Sequence, residues 1–201
     1  METATSYHHG NLRAALIDAG LKILDSEGVT GLGLRAAARR VGVSHAAPLR
    51  HFADLAHYAA AVAAACFEQL ADGMETALAA AEDPLSGLRA TGHAYVSYAR
   101  RYPNRFRMLA HPVLGDKARF PRLDEVSDRA FGVLRRAISA AQEFGAIRAG
   151  EVEPLAMGAW STVHGLAAIM SEGLMVKMGW TEPATLTDDI LTLLYEGMRP
   201  A

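Results

Sequence analysis

The chain has 201 residues, 51% of them hydrophobic, and a formal net charge of −2. That length buries one generous core or two small ones, and the near-neutral charge excludes a polycation that coats nucleic acid, so any DNA contact must come from a local patch. The single cysteine, Cys66, excludes an intrachain disulfide and a cysteine zinc cluster, and its apolar helical surroundings assign it to the core.

The N-terminal METATSYHHGNLR carries no apolar signal region, and the longest apolar run, 58–67, is too short and too alanine-rich to span a bilayer. A soluble cytoplasmic protein with no membrane partner is expected. Leu12, Leu16, Ala19 and Ile23 recur at helical spacing, widened by Ile17, Leu21 and Leu24, so residues 11–26 form a first helix that Gly28 closes.

Residues 34–52, LRAAARRVGVSHAAPLRHF, read as a helix-turn-helix. Leu34, Ala37, Ala38 and Val41 share one face of a short helix, leaving Arg35, Arg39 and Arg40 outside. Gly42 ends it, because glycine takes the left-handed conformation other residues resist, and Val43 plugs the corner. Ser44 caps a second short helix over 45–51. No acidic residue occurs between Glu27 and Asp54, a balance that suits a phosphate backbone. The competing reading is a helical hairpin with a solvated basic face. Gly31, Gly33 and Ala36 spell a dinucleotide fingerprint, but a helix precedes them and no βα alternation exists, so the match is chance.

A long helix runs over 54–81, with Val62, Cys66, Phe67, Leu70, Met74 and Leu78 on one stripe, and Asp83-Pro84 breaks it. This helix joins a head domain (1–55) to a second domain (56–201). Further helices are predicted over 85–101, 104–109, 122–144, 154–178 and 184–198, punctuated by Pro103, Pro112, Gly115, Pro121, Gly145, Gly150, Gly179 and Pro183. Nothing reads as a strand, so the fold class is all-α with about nine helices.

In the second domain, Tyr95 and Tyr98 on one helix and Trp160 and His164 on another fall on common faces. With Phe106, Met108 and Met157 they make a candidate small-molecule site of apolar walls and few polar groups. An aromatic stripe at this spacing is more often the signature of core, and a lone histidine on such a face is more often satisfied by a neighbouring carbonyl or hydroxyl. Arg100, Arg101, Arg105 and Arg107 form a second acid-free cluster, read as solvated helix ends favoured by the helix dipole. Leu166, Met170, Leu174, Ile190, Leu191, Leu194 and Tyr195 give the last helices more apolar surface than one domain needs, which points to a homodimer. No nucleophile elbow, zinc-protease pair, phosphate loop or Cys-His pairing occurs, so no enzyme, cofactor or metal is expected.

HHGNLRAALIDAGLKIL followed by LRAAARRVGVSHAAPLRHF resembles the TetR family of bacterial transcriptional regulators. AWSTVHGLAAIMSEG, residues 159–173, resembles the Trp-x-x-x-His-Gly helix of one C-terminal subgroup. The resemblance implies a three-helix DNA-binding head that reads operator DNA as a two-fold dimer. It implies Arg35, Ser44, His45, Ala46, Pro48, Leu49, Arg50 and His51 as the DNA-reading set, with His8, His9 and Arg13 in the arm. It further implies a small-molecule effector that releases the operator. Three positions depart from the family pattern: Gly33 replaces a capping Ser or Thr, Leu49 an aromatic residue, and Leu55 a lysine. Each removes a donor to DNA. The alternative is therefore a ligand-binding or interaction bundle of the same fold with weakened or lost operator binding.

Overall fold

A computed structural model describes residues 12–116, 118–179 and 183–200. The arm histidines His8 and His9 lie outside these residues. Nine α-helices and no strand occur among the described residues: α1 (Leu12–Glu27), α2 (Leu34–Val41), α3 (Leu55–Ala79), α4 (Pro84–Arg101), α5 (Pro103–Met108), α6 (Pro121–Glu143), α7 (Val152–Ser171), α8 (Leu174–Lys177) and α9 (Pro183–Glu196). Four of them begin at proline, whose fixed φ suits a first turn and whose missing N–H would be unpaired there anyway.

Local chemistry sets the other boundaries. The Asp54 carboxylate accepts the His57 N–H at 2.8 Å and starts α3, and Asp83 and Ser86 form a reciprocal capping box at the start of α4. Gly28, at φ 71°, follows α1, and Gly42, at φ 79°, turns the chain after α2. The segment expected as one helix over 154–178 is two, α7 and α8, because Gly173 at φ 69° ends the α-helical path between them. None of the described helices is long and apolar enough to cross a membrane.

Two apolar clusters form the interior. The first joins Leu16, Ile23 and Leu24 of α1 to Ala37, Phe52 and the Tyr58–Cys66 half of α3, and it also takes in Met108, Phe120, Leu123 and Val126. The second gathers Leu70 and Met74 with α4, α6, α7 and α9. Thus α3 serves both, and α4 and α6 pack along it. The packing does not divide at residue 55, since the start of α6 closes the first cluster. Two buried tyrosines pin α3: Tyr58 donates to the Leu16 carbonyl at 2.8 Å, and Tyr98 to the Cys66 carbonyl at 3.0 Å. Burial pushes the Cys66 thiol up to about 12, which makes it an inert packing group.

Candidate functional site

The hairpin's first turn is built as its residues dictate. The N–H groups of Gly42 and Val43 both reach the Ala38 carbonyl at 3.0 Å, closing α2 through a left-handed glycine. The second element differs from expectation. It is a single 3-10 turn, Ala47–Arg50, and the Ser44 hydroxyl makes no cap; only its carbonyl is used, by Ala47 N–H. Pro48 supplies the reason, having no amide to give an α-helical ladder.

Arg35, Arg39, Ser44, His45, Ala46, Leu49, Arg50 and His51 are exposed on this hairpin. Arg35, Arg39 and Arg50 have no ion-pair partner among the described residues, while Arg40 stands 3.8 Å from Glu27. Pro48 is the exception in the expected set: it is buried and holds the turn from beneath. Leu49 and Leu55 are 58% and 50% exposed, so two apolar side chains stand in the basic face. Arg13 is drawn over the Phe52 ring, 5.5 Å from its centroid.

A cavity of about 200 Å³ lies in the second domain. Phe67, Leu70 and Met74 of α3, Thr91, Gly92 and Tyr95 of α4, and Ser127, Ala130, Phe131 and Leu134 of α6 line it, with Leu109, Ala159, Trp160, Val163, His164 and Tyr195. Of the expected ligand set it brings together Tyr95, Trp160 and His164. Tyr98 and Met108 are instead core, Met108 in the first cluster, and Phe106 packs behind the wall with its ring 5.3 Å from that of His164. Met157 points away and is 51% exposed, because its position on α7 falls a third of a turn outside the inward stripe.

The polar heart of the cavity is one pair. The Tyr95 hydroxyl and His164 Nδ1 stand 2.8 Å apart, and the Trp160 ring stacks on the imidazole at 4.9 Å and 27°. Burial holds His164 below the ordinary histidine value and pushes the Tyr95 phenol up to about 12, so both are neutral near pH 7. Gly92, which sequence reasoning passed over, lets α9 approach: a Cβ there would lie 2.8 Å from Leu191 Cδ2 and 3.3 Å from the Tyr195 hydroxyl. A glycine inside an otherwise regular helix was the available signal.

That approach also relocates part of the expected dimer face. Leu166, Leu191 and Tyr195 are buried in their own core, and Met170, Ile190 and Leu194 pack against it, while Leu174 is 37% exposed. The outward apolar residues of these helices are Met157, Ile169 and Leu193.

Helix α5 stands between cavity and head. Its Arg105 clasps Asp25 of α1 through two bonds of 2.8 and 2.6 Å, donates to Gln69 at 2.7 Å and lies 4.3 Å from the Tyr102 centroid. The basic cluster is therefore partly a structural bracket. A second bracket, Asp54 to His57 and Arg119, links the start of α3 to the approach to α6.

Residues 88–194, just over half of the chain, match the family described as tetracyclin repressor-like, C-terminal domain. No curated protein matches the chain. The fold is similar to a protein of unknown function from Rhodococcus sp. RHA1, at 28% identity over 98% of this chain and 100% of that one, with a TM-score of 0.84. It is also similar to the TetR family transcriptional regulator PfmR from Thermus thermophilus, at 17% identity, full coverage of both chains and a TM-score of 0.65. A third similar structure is the transcriptional regulator FadR from Bacillus subtilis in complex with stearoyl-CoA, at 15% identity, with 93% of this chain and 100% of that one covered and a TM-score of 0.72. With a basic helical hairpin at one end, a neutral cavity at the other and this family match across the cavity's own helices, the chain belongs to the tetracyclin repressor-like, or TetR, family.

Proposed function

We propose that the chain is a homodimeric repressor that holds operator DNA through the α2 hairpin and lets go when a small molecule fills the α4–α6–α7 cavity. One observation carries this reading: a single helix, α3, runs from the end of an exposed, acid-free basic hairpin to the wall of an apolar cavity. Residues 1–55 supply the DNA contacts and 56–201 the effector and dimer contacts, in the subgroup marked by Trp160, His164 and Gly165. The protein acts in the cytoplasm and catalyses no reaction.

A single hairpin offers few base contacts, so two heads on a pseudo-palindrome are needed for specific binding. Met157, Ile169 and Leu193 give the partner an apolar face to cover. The test is binding to the DNA upstream of the chain's own gene across a salt series, with footprinting. A protected site with a steep salt slope supports the reading; no specific shift at low salt refutes it.

The second reading, a bundle of the same fold with weakened operator binding, is favoured by Gly33, Leu49 and Leu55. Gly33 starts α2 without a side-chain cap, and Leu49 and Leu55 expose carbon where a donor would face phosphate. A shallow salt slope with normal ligand binding would select it.

A further inference from the structure

The cavity wall restricts what can enter it. No charged side chain lines it. The Thr91 hydroxyl donates to the Leu88 carbonyl at 2.7 Å, Ser127 to the Asp124 carbonyl at 2.9 Å, and Tyr195 to the Leu88 carbonyl at 3.1 Å. Each of these hydrogens is committed to backbone. The Tyr95 hydroxyl has one acceptor among the described residues, His164 Nδ1. A buried hydroxyl hydrogen left unused is costly, so Tyr95 donates and Nδ1 accepts. A neutral imidazole accepting at Nδ1 carries its proton on Nε2. His164 is thereby locked as a donor, and Nε2 has no partner among the described residues.

Size sets the second limit. An apolar cavity of about 150 Å³ holds benzene, so about 200 Å³ takes a ring with a substituent of two or three heavy atoms. Charge sets the third, since a carboxylate buried against this wall would find no counter-charge.

We infer that the ligand of this cavity is an uncharged, mostly apolar molecule about the size of one substituted six-membered ring, bearing an oxygen that accepts the Nε2–H of His164. The inference rests on the cavity being the effector site proposed above. It sets this chain apart from the FadR structure, whose stearoyl-CoA is far larger and charged.

The test is calorimetric titration of the full-length protein with four probes: acetophenone, ethylbenzene, benzoate and stearoyl-CoA. Acetophenone is expected to bind about tenfold tighter than ethylbenzene, the worth of one hydrogen bond of about 1.4 kcal/mol, and benzoate and stearoyl-CoA not to bind. In His164→Phe the acetophenone advantage disappears. Tyr95→Phe, a smaller change that unlocks the tautomer, reduces it, and carries the comparison if the first variant fails to fold. Tighter binding of benzoate or stearoyl-CoA, equal binding of acetophenone and ethylbenzene by the unaltered protein, or no binding by any probe overturns the inference. The same probes added to the DNA complex separate the two claims. Acetophenone that binds without displacing DNA refutes the effector role and leaves the ligand class standing; displacement by benzoate or stearoyl-CoA does the reverse.

Discussion

Arg105→Ala should loosen the head from the rest of the chain, and the structure allows the size of the effect to be worked out. Arg105 is 12% exposed and Asp25 39%, so the pair is neither a surface ion pair worth under about 1 kcal/mol nor a buried one worth about 3–5 kcal/mol when broken. Its bidentate geometry places the pairwise energy at about 1–2 kcal/mol. The alanine variant also loses the Gln69 bond and the guanidinium over Tyr102, which brings the total to about 2–3 kcal/mol. For a chain of this length that is a drop in Tm of about 5–10 °C. The assay is urea denaturation of Arg105→Ala, Asp25→Ala and the double variant, at one protein concentration so that any dimer contribution cancels. The double-mutant cycle should return a coupling of about 1–2 kcal/mol. A coupling within about 0.3 kcal/mol of zero would show that the clasp contributes nothing between α1 and α5, and the reasoning would fall.

Gly33 has open space where a Cβ would sit and an extended φ of −165°, so Gly33→Ser gives α2 a cap without a clash. A gain of a few tenths of a kcal/mol in stability and a steeper salt slope in DNA binding are expected, the second because a hydroxyl then faces phosphate. Gly20→Ala should do the opposite, since its Cβ would meet Val62 Cγ2 at 2.5 Å and the Tyr58 hydroxyl at 2.6 Å. Overpacking of about 1–3 kcal/mol outweighs a helix-propensity gain of about 1 kcal/mol, and chemical denaturation should report a net loss near 1 kcal/mol. Burial lowers the His164 pKa in the folded state, so below about 6.5 the unfolded chain takes up its proton first. The His164 contribution to stability is therefore whole above that pH and declines as pH falls from about 6.5 towards the lower folded value. The difference in urea midpoint between the native protein and His164→Phe, measured from pH 7.5 to 5.5, should shrink on acidification; a constant difference would contradict the assignment.

Elements with local signals were legible in the sequence. Gly42, Asp54 and Asp83-Pro84 act through their own backbone or side-chain geometry, and each stands where the chain turns or restarts. The cavity was legible in part, since Tyr95, Trp160 and His164 pair polar groups on faces otherwise apolar. The phase of the last helices was not. α7 is apolar nearly all round, with Met157 beside Leu155 and Ala156, so periodicity could not tell its inward stripe from its outward one. Leu191 and Tyr195 turn inward because Gly92 on α4 admits them, which is a fact about two helices about 100 residues apart and not about either alone. The clasp of Arg105 on Asp25 spans 80 residues, and no window of sequence contains both. The 3-10 turn at Ala47–Arg50 was not legible for a smaller reason: Pro48 falls at the edge of a first helical turn, where a missing amide is tolerated, so the proline alone does not tell a 3-10 turn from a short α-helix.

The continuity of α3 has a mechanical corollary. Leu70 touches the cavity and Leu55 adjoins the hairpin, and one unbroken α-helix separates them. At 1.5 Å per residue that arm is about 22 Å long, so a tilt of about 5° at the cavity displaces the hairpin by about 2 Å. A helix without proline or kink cannot absorb such a tilt along its length. The cavity therefore needs no large rearrangement to be felt at the far end: a side-chain-sized displacement between α3 and its neighbours is geared up into a change of reach, and two such arms facing each other would double it.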